Sequence, residues 1–280
     1  MQEKNQKARD EIQRLQYWHR FTFMAERTQY YSRRQQCETN PENFLSTIGD
    51  GMQQAHNDLP WYANSGKQLC KNTLGTALDG MLVHGTPTAS RNNANKKSRI
   101  SIYRHFANIP KGPNTAIYCW LNELEYEKNE RRKLPPVLYH QFDGGCENAN
   151  KLYVAVAEWL VLKGLTEKVV LTRLPVGHTH EDIDAQFAHI WRALQSQYVT
   201  TPDSQKHWAM KGLGERKQVL WKDVWCVPDF NLFFTGFMAN CARGFKAGDE
   251  DWTQLQWTVQ AKGKGRCTTT YRAYSSPEVG

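Results

Sequence analysis

Carboxylates, amides and imidazoles crowd two short stretches of this chain, each directly after an apolar run. VLYHQF leads into DGGCENAN, and KVVLTRL leads into PVGHTHEDID. Apolar runs of this length read as buried strands, and in open α/β sheets ligands and metals bind beyond the carboxyl ends of the strands. Asp143 closes the first run, with Glu147, Asn148 and Asn150 behind it; His178, His180, Glu181, Asp182 and Asp184 follow the second. A further acid, Asp50, follows the run FLSTI inside Gly49-Asp50-Gly51. The chemistry these residue types suggest is acidic chemistry at one end of a sheet.

Each group also has a plainer role. Asp50 and Asp143 are flanked by glycines and would serve as turn formers. Glu181 and Asp182 would complement the dipole at the start of a helix. Glu181 and Asp184 stand three apart and share a helix face, so either could supply the third ligand. His178 and His180 alternate and share one side of an extended segment, where they could join a transition-metal site or orient a carboxylate or phosphate. Asp79 repeats the DGM of residues 50 to 52 inside a second strand and stands as a backup to Asp50.

The elements that must position these groups are readable from periodicity. A helix is predicted over residues 4–36, with Ile12, Leu15, Trp18, Phe21, Phe23 and Met24 as an apolar packing face. Three strands follow, Phe44 to Ile48, Leu74 to His84 and SRISIYRHF, which predict an antiparallel meander. Gly112-Pro113-Asn114 opens a helix with Ile117, Trp120, Leu121 and Leu124 on one face. Then come the strand VLYHQF, a helix from about residue 148 to 162, the strand KVVLTRL and a helix from about residue 181 to 194. Beyond residue 195 periodicity weakens to a strand or loop, a helix in DFNLFFTGFM and a hairpin around Gly263-Lys264-Gly265. The domain reading is a helical arm over 1–40, a core over 41–200 and an α+β extension over 201–280.

The order β-β-β-α-β-α-β-α, with acids closing the first and fourth strands and opening the last helix, resembles the ribonuclease H-like fold of ribonucleases H, integrases and DDE or DDD transposases. Residues 40 to 200 are more closely similar to an uncharacterised transposon-derived eukaryotic family, through IGDGMQQA, FDGGCENANK and VGHTHEDID. The resemblance implies an α/β fold with a mixed five-stranded sheet flanked by helices. It also implies a metal-dependent polynucleotidyl transferase or nuclease with Asp50, Asp143 and Asp184 as catalytic metal ligands, Glu181 as a further ligand, and Glu147, Asn148, Asn150, His178 and His180 in support. The implied cofactor is Mg²⁺ or Mn²⁺. Two such hard cations, about 4 Å apart, need oxygen ligands converging from several elements to activate a nucleophile and stabilise a leaving oxygen. Gly144 and Gly145 stand where the family has Asn and Cys, and Ala149 where it has Lys, leaving Lys151 as the substitute. These departures fit a second reading, a domesticated and inactive module that binds nucleic acid or protein.

Charge bears on the partner. The 280 residues carry a formal net charge of +8, with basic clusters in SRNNANKKSR and KNERRK, so Lys96, Lys97, Arg99, Arg131 and Arg132 are candidate phosphate contacts. A nucleic acid, DNA in the transposase reading, is the expected partner, together with a separate DNA-binding module or a second copy of the chain. Seven scattered cysteines without a CxxC pair point to a reduced, intracellular and, for a DNA enzyme, nuclear setting. No run of about 18 apolar residues occurs, so no membrane span is expected.

Overall fold

The computed structural model describes residues 2–63, 72–86, 98–142, 151–173, 182–214, 218–238, 255–263 and 265–272. The order of elements is α1 (Gln2–Thr39), β1 (Phe44–Gly51), a 3₁₀ turn (Gln54–His56), β2 (Thr76–His84), β3 (Ser98–Phe106), α2 (Pro113–Arg131), β4 (Val137–Phe142), α3 (Lys151–Leu162) and β5 (Lys168–Arg173). It continues with α4 (Asp182–Gln195), α5 (Pro202–Leu213), β6 (Gln218–Asp223), α6 (Phe230–Met238), β7 (Gln256–Ala261) and β8 (Cys267–Arg272). The fold is α/β, built on one mixed sheet in the order β6-β3-β2-β1-β4-β5-β7-β8.

β1, β2 and β3 pair antiparallel, as the meander predicts, and β4 adds parallel to the other side of β1, followed by β5. Among the described residues the sheet has eight strands rather than the expected five. The segment read as an extension supplies the other three: β6 pairs parallel to β3, and the β7–β8 hairpin continues antiparallel from β5.

Alternation along the central strands divides the interior into two apolar layers. Leu45, Met81, Val83, Tyr103 and Leu138 face α2 and α3, where Ile117, Trp120 and Leu124 meet them. Ile48, Leu78, Leu82, Ile100 and Ile102 face the other way, onto Ile183, Phe187 and Ile190 of α4. Residues 152–158 of α3 are all buried. A helix buried all round needs cover on every side, and the sheet, α6 and the β7–β8 hairpin provide it.

α1 departs from expectation. Ile12, Leu15, Tyr17 and Met24 are exposed, and the helix packs instead through its second half, where Tyr30 and Cys37 are buried. α5 was not foreseen; its signal is a capping box in which the Thr201 hydroxyl accepts from the Ser204 backbone N–H, followed by Pro202 in the first turn. Among the described residues no helix is long and apolar enough to cross a membrane.

Candidate functional site

The parallel pair at the centre of the sheet sets the site. The last register pair between β1 and β4 is Gly49 with Phe142. Asp50 follows that couple within β1, and in the sequence Asp143 follows Phe142, where β4 ends. Asp50 is half-buried and lies opposite Gly80 of β2. Gly80 is a glycine for a reason of space: a Cβ there would stand 2.8 Å from the Phe187 ring and 3.1 Å from Cδ1 of Ile183. The first turns of α4 are therefore seated on the strand position beside Asp50. Asp184, half-buried, lies in that first turn next to Ile183. Asp50 and Asp184 are thus carried by elements that touch at one end of the sheet.

Asp143, Glu147, Asn148, Asn150, His178, His180 and Glu181 lie outside the described residues, as do Lys96 and Lys97. Among the described residues no group of three or more His, Cys, Asp and Glu side chains converges as a metal site.

Asp182 has a different part from the one its position suggests. Its Oδ2 accepts from the Tyr30 hydroxyl at 2.9 Å and from Arg34 Nη1 at 2.5 Å, and Tyr30 also lies 3.0 Å from Nε2 of the buried His84. The first acid of α4 therefore pins α1 to α4. That contact fixes where the first turn of α4, which also holds Asp184, begins.

On the opposite face, a cleft of about 240 Å³ opens at the same sheet end. It is lined by Gly49, Asp50, Gly51 and Asp79 from the strands, Lys111, Gly112, Thr115 and Cys119 from the start of α2, and Phe142 and Tyr153. Asp79 Oδ2 lies 3.0 Å from His105 Nε2. By alternation Asp79 shares the α2 face with Met81 and Tyr103, whereas Asp50 shares the α4 face with Ile48. Asp79 is thus a second carboxylate beside the site rather than a stand-in for Asp50. Burial pushes the Cys119 thiol well above its ordinary range, helped by the nearby carboxylates of Asp79 and Glu123, so it stays protonated and is no nucleophile.

Two of the basic candidates are not at the surface. Arg99 is fully buried between β3 and α2, its guanidinium bound to Glu123 at 2.6 Å and Glu127 at 2.5 Å, with its charge 4.1 Å over the Tyr126 ring. Arg131 pairs with Glu127 at 2.7 Å and donates to the carbonyls of Pro41 and Gly85. Both neutralise acids of α2 that face inward, and neither can reach a phosphate. Arg132 is exposed, in the left-handed cap that ends α2 with φ 69°.

The model of one protein family, described as "Domain of unknown function (DUF7869)", matches residues 67–273. The chain belongs to that family. The match takes in β2 through β8 with Asp143 and Asp184, and it begins after Asp50 and β1. No curated protein and no solved structure matches the chain.

Three residues escaped the sequence reading. Arg173 ends β5 with only 2% exposure and its guanidinium carbon 5.0 Å from the Phe142 ring, a buried cation beside the strand end that precedes Asp143. An arginine closing the apolar run KVVLT was its visible signal. Lys111 and His105 reach the cleft region only through the folding of β3 and α2, and nothing local marked them.

Proposed function

We propose that this chain is a transposase- or integrase-like catalytic core on a ribonuclease H-like fold, cleaving or joining phosphodiester bonds in DNA with Mg²⁺ or Mn²⁺. The observation that carries the reading is the meeting at Gly80: α4, whose first turn holds Asp184, rests on the strand position opposite Asp50. Gly49 pairs with Phe142, the last residue of the neighbouring strand, which Asp143 follows in the sequence. The order β3-β2-β1-β4-β5, antiparallel then parallel, also supports it.

The donor set fits hard cations. Asp50 and Asp184 are half-buried carboxylates at element ends, and carboxylate oxygens are the ligands that Mg²⁺ and Mn²⁺ prefer. In this reading Asp50, Asp143 and Asp184 hold the metals, with Glu181 beside them. When bound, the metals supply Lewis acidity and a nucleophile at neutral pH. The rest falls to the protein: Asp182, held by Tyr30 and Arg34, fixes the start of α4, and Lys111 at the cleft mouth adds positive charge for a phosphate. Lys96, Lys97 and Arg132 remain the candidates for backbone contacts along the DNA.

The test is Mg²⁺- or Mn²⁺-dependent cleavage or joining of labelled DNA, with Asp50→Asn and Asp143→Asn beside the wild type. Expected is a loss of at least about 100-fold in each variant with the thermal midpoint kept. Undiminished activity in both would overturn the site. The second reading, a binding module without catalysis, has the glycine pair after Asp143 in its favour. It predicts DNA binding that neither metal nor these substitutions alter.

A further inference from the structure

α1 carries a stripe of positive charge that runs to the start of α4. At about 3.6 residues per turn, Arg9, Gln13, Gln16, Arg20, Arg27 and Arg34 fall on one face of the helix. No Asp or Glu shares that face between Arg9 and Arg34: Asp10 and Glu11 stand on other faces, and Glu26 is buried against Arg272. Arg9 and Arg20 are exposed, on a length of helix where every side chain from residue 6 to residue 20 is exposed. Arg27 is held in position by two rings, its guanidinium carbon 5.5 Å from the Phe23 centroid and 5.7 Å from that of Tyr31. Arg34 closes the stripe and binds Asp182 at 2.5 Å, in the same first turn of α4 as Asp184.

From this arrangement we infer that α1 is a DNA-guiding arm, whose stripe lies along the phosphate backbone of the duplex flanking the bond held at Asp50 and Asp184. The inference rests on the nucleic-acid reading above and adds to it the path of the substrate. Guanidinium and carboxamide groups both donate hydrogen bonds to phosphate oxygens, and such contacts position a duplex without reading its sequence. Arg34 lies twenty-five residues after Arg9, which at about 1.5 Å per residue is about 38 Å, the length of about eleven base pairs. The arm is therefore long enough to follow one turn of duplex away from the acids. Arg34, engaged by Asp182 and Glu38, fixes the root of the arm, and Arg9, Arg20 and Arg27 make the contacts. A basic helix can also lie on an anionic bilayer; the junction of this stripe with α4 favours DNA.

The test is DNA binding without metal, so that it does not depend on the acids. Fluorescence anisotropy in EDTA, with the full chain and a labelled duplex longer than the arm, would compare wild type with two double variants. Arg9→Gln with Arg20→Gln alters the stripe, and Lys7→Gln with Arg14→Gln removes the same charge from the other side of the helix. The stripe variant is expected to lower the slope of log affinity against log salt by about 2, and the other variant to leave it unchanged. All four side chains are exposed, so both variants should keep the thermal midpoint of wild type. Equal slopes in the three proteins, an equal fall in both variants, or absence of DNA binding overturns the arm. A stripe variant that loses binding to phosphatidylserine vesicles while its DNA slope is unchanged overturns it in favour of a bilayer. The metal reading stands or falls separately, on whether Mn²⁺ raises the thermal midpoint of wild type and not of Asp50→Asn.

Discussion

His140 is enclosed by rings: Trp120 lies parallel at 4.3 Å and Tyr153 at 5.7 Å, and Thr47 Oγ1 stands 2.8 Å from Nδ1. Burial lowers its pKa from the ordinary 6.5 to about 3. Between those values the unfolded chain binds a proton that the native imidazole refuses, so acid favours unfolding. The contribution is complete above pH 6.5 and is lost as pH falls toward 3, with a slope approaching about 1.4 kcal/mol per pH unit. Denaturant melts of His140→Phe at several pH values should show this part of the slope flattened; an unchanged profile would mean that another group carries it. Arg99→Ala leaves Glu123 buried with the Tyr103 hydroxyl but without its cation, while Glu127 keeps Arg131, and should cost about 3–5 kcal/mol without changing the DNA affinity of the folded fraction. A stable Arg99→Ala with weakened DNA binding would return that arginine to the surface. Asp50 and Asp143 were legible as candidates because polar residues after short apolar runs mark strand ends, whereas Asp184 was chosen over Glu181 by the family resemblance. Arg99 was misread because its basic neighbours in the sequence suggest solvent, whereas its partners lie on α2, more than twenty residues away.

Among the elements, those with local signals were read closely. VLYHQF spans β4 as predicted, and α2 and α4 begin and end within two residues of expectation. Strand pairing was less legible, since β6 joins the sheet beside β3 with only half-buried residues and one exposed lysine. α5 went unread for want of a strong apolar stripe, and its start depends on the Thr201 cap. Thr201→Ala should lower stability by about 1 kcal/mol, and Thr201→Ser should restore it, as read by thermal denaturation. α1 tests a different point. Residues 6–20 are exposed throughout, and surface positions without buried partners contribute within about 0.5 kcal/mol each. Deleting residues 2–16 should leave the thermal midpoint nearly unchanged, whereas Tyr30→Phe, which breaks the link to Asp182 and His84, should lower it. A large loss on deletion would show that the projecting half packs on something in solution.

For the whole molecule, the net charge of +8 predicts salt-sensitive DNA binding. Replacing Lys96 and Lys97 by alanine should lower the slope of log affinity against log salt by about 2, one for each lost phosphate contact, while Arg131→Ala should leave it alone. Equal slopes for all three proteins would move the DNA path elsewhere. The sheet also joins distant parts of the chain. Glu26 of α1, 3% exposed, accepts from Gln256 at 2.5 Å and from Arg272 at 3.0 Å, across 246 residues. A buried carboxylate is costly without its cation, and Arg272 is made 246 residues after Glu26. During synthesis α1 therefore cannot settle on the sheet with Glu26 satisfied until β7 and β8 have emerged. Its docking thus waits on the β7–β8 hairpin, and until then the nascent protein presents the uncovered flank of the sheet to chaperones.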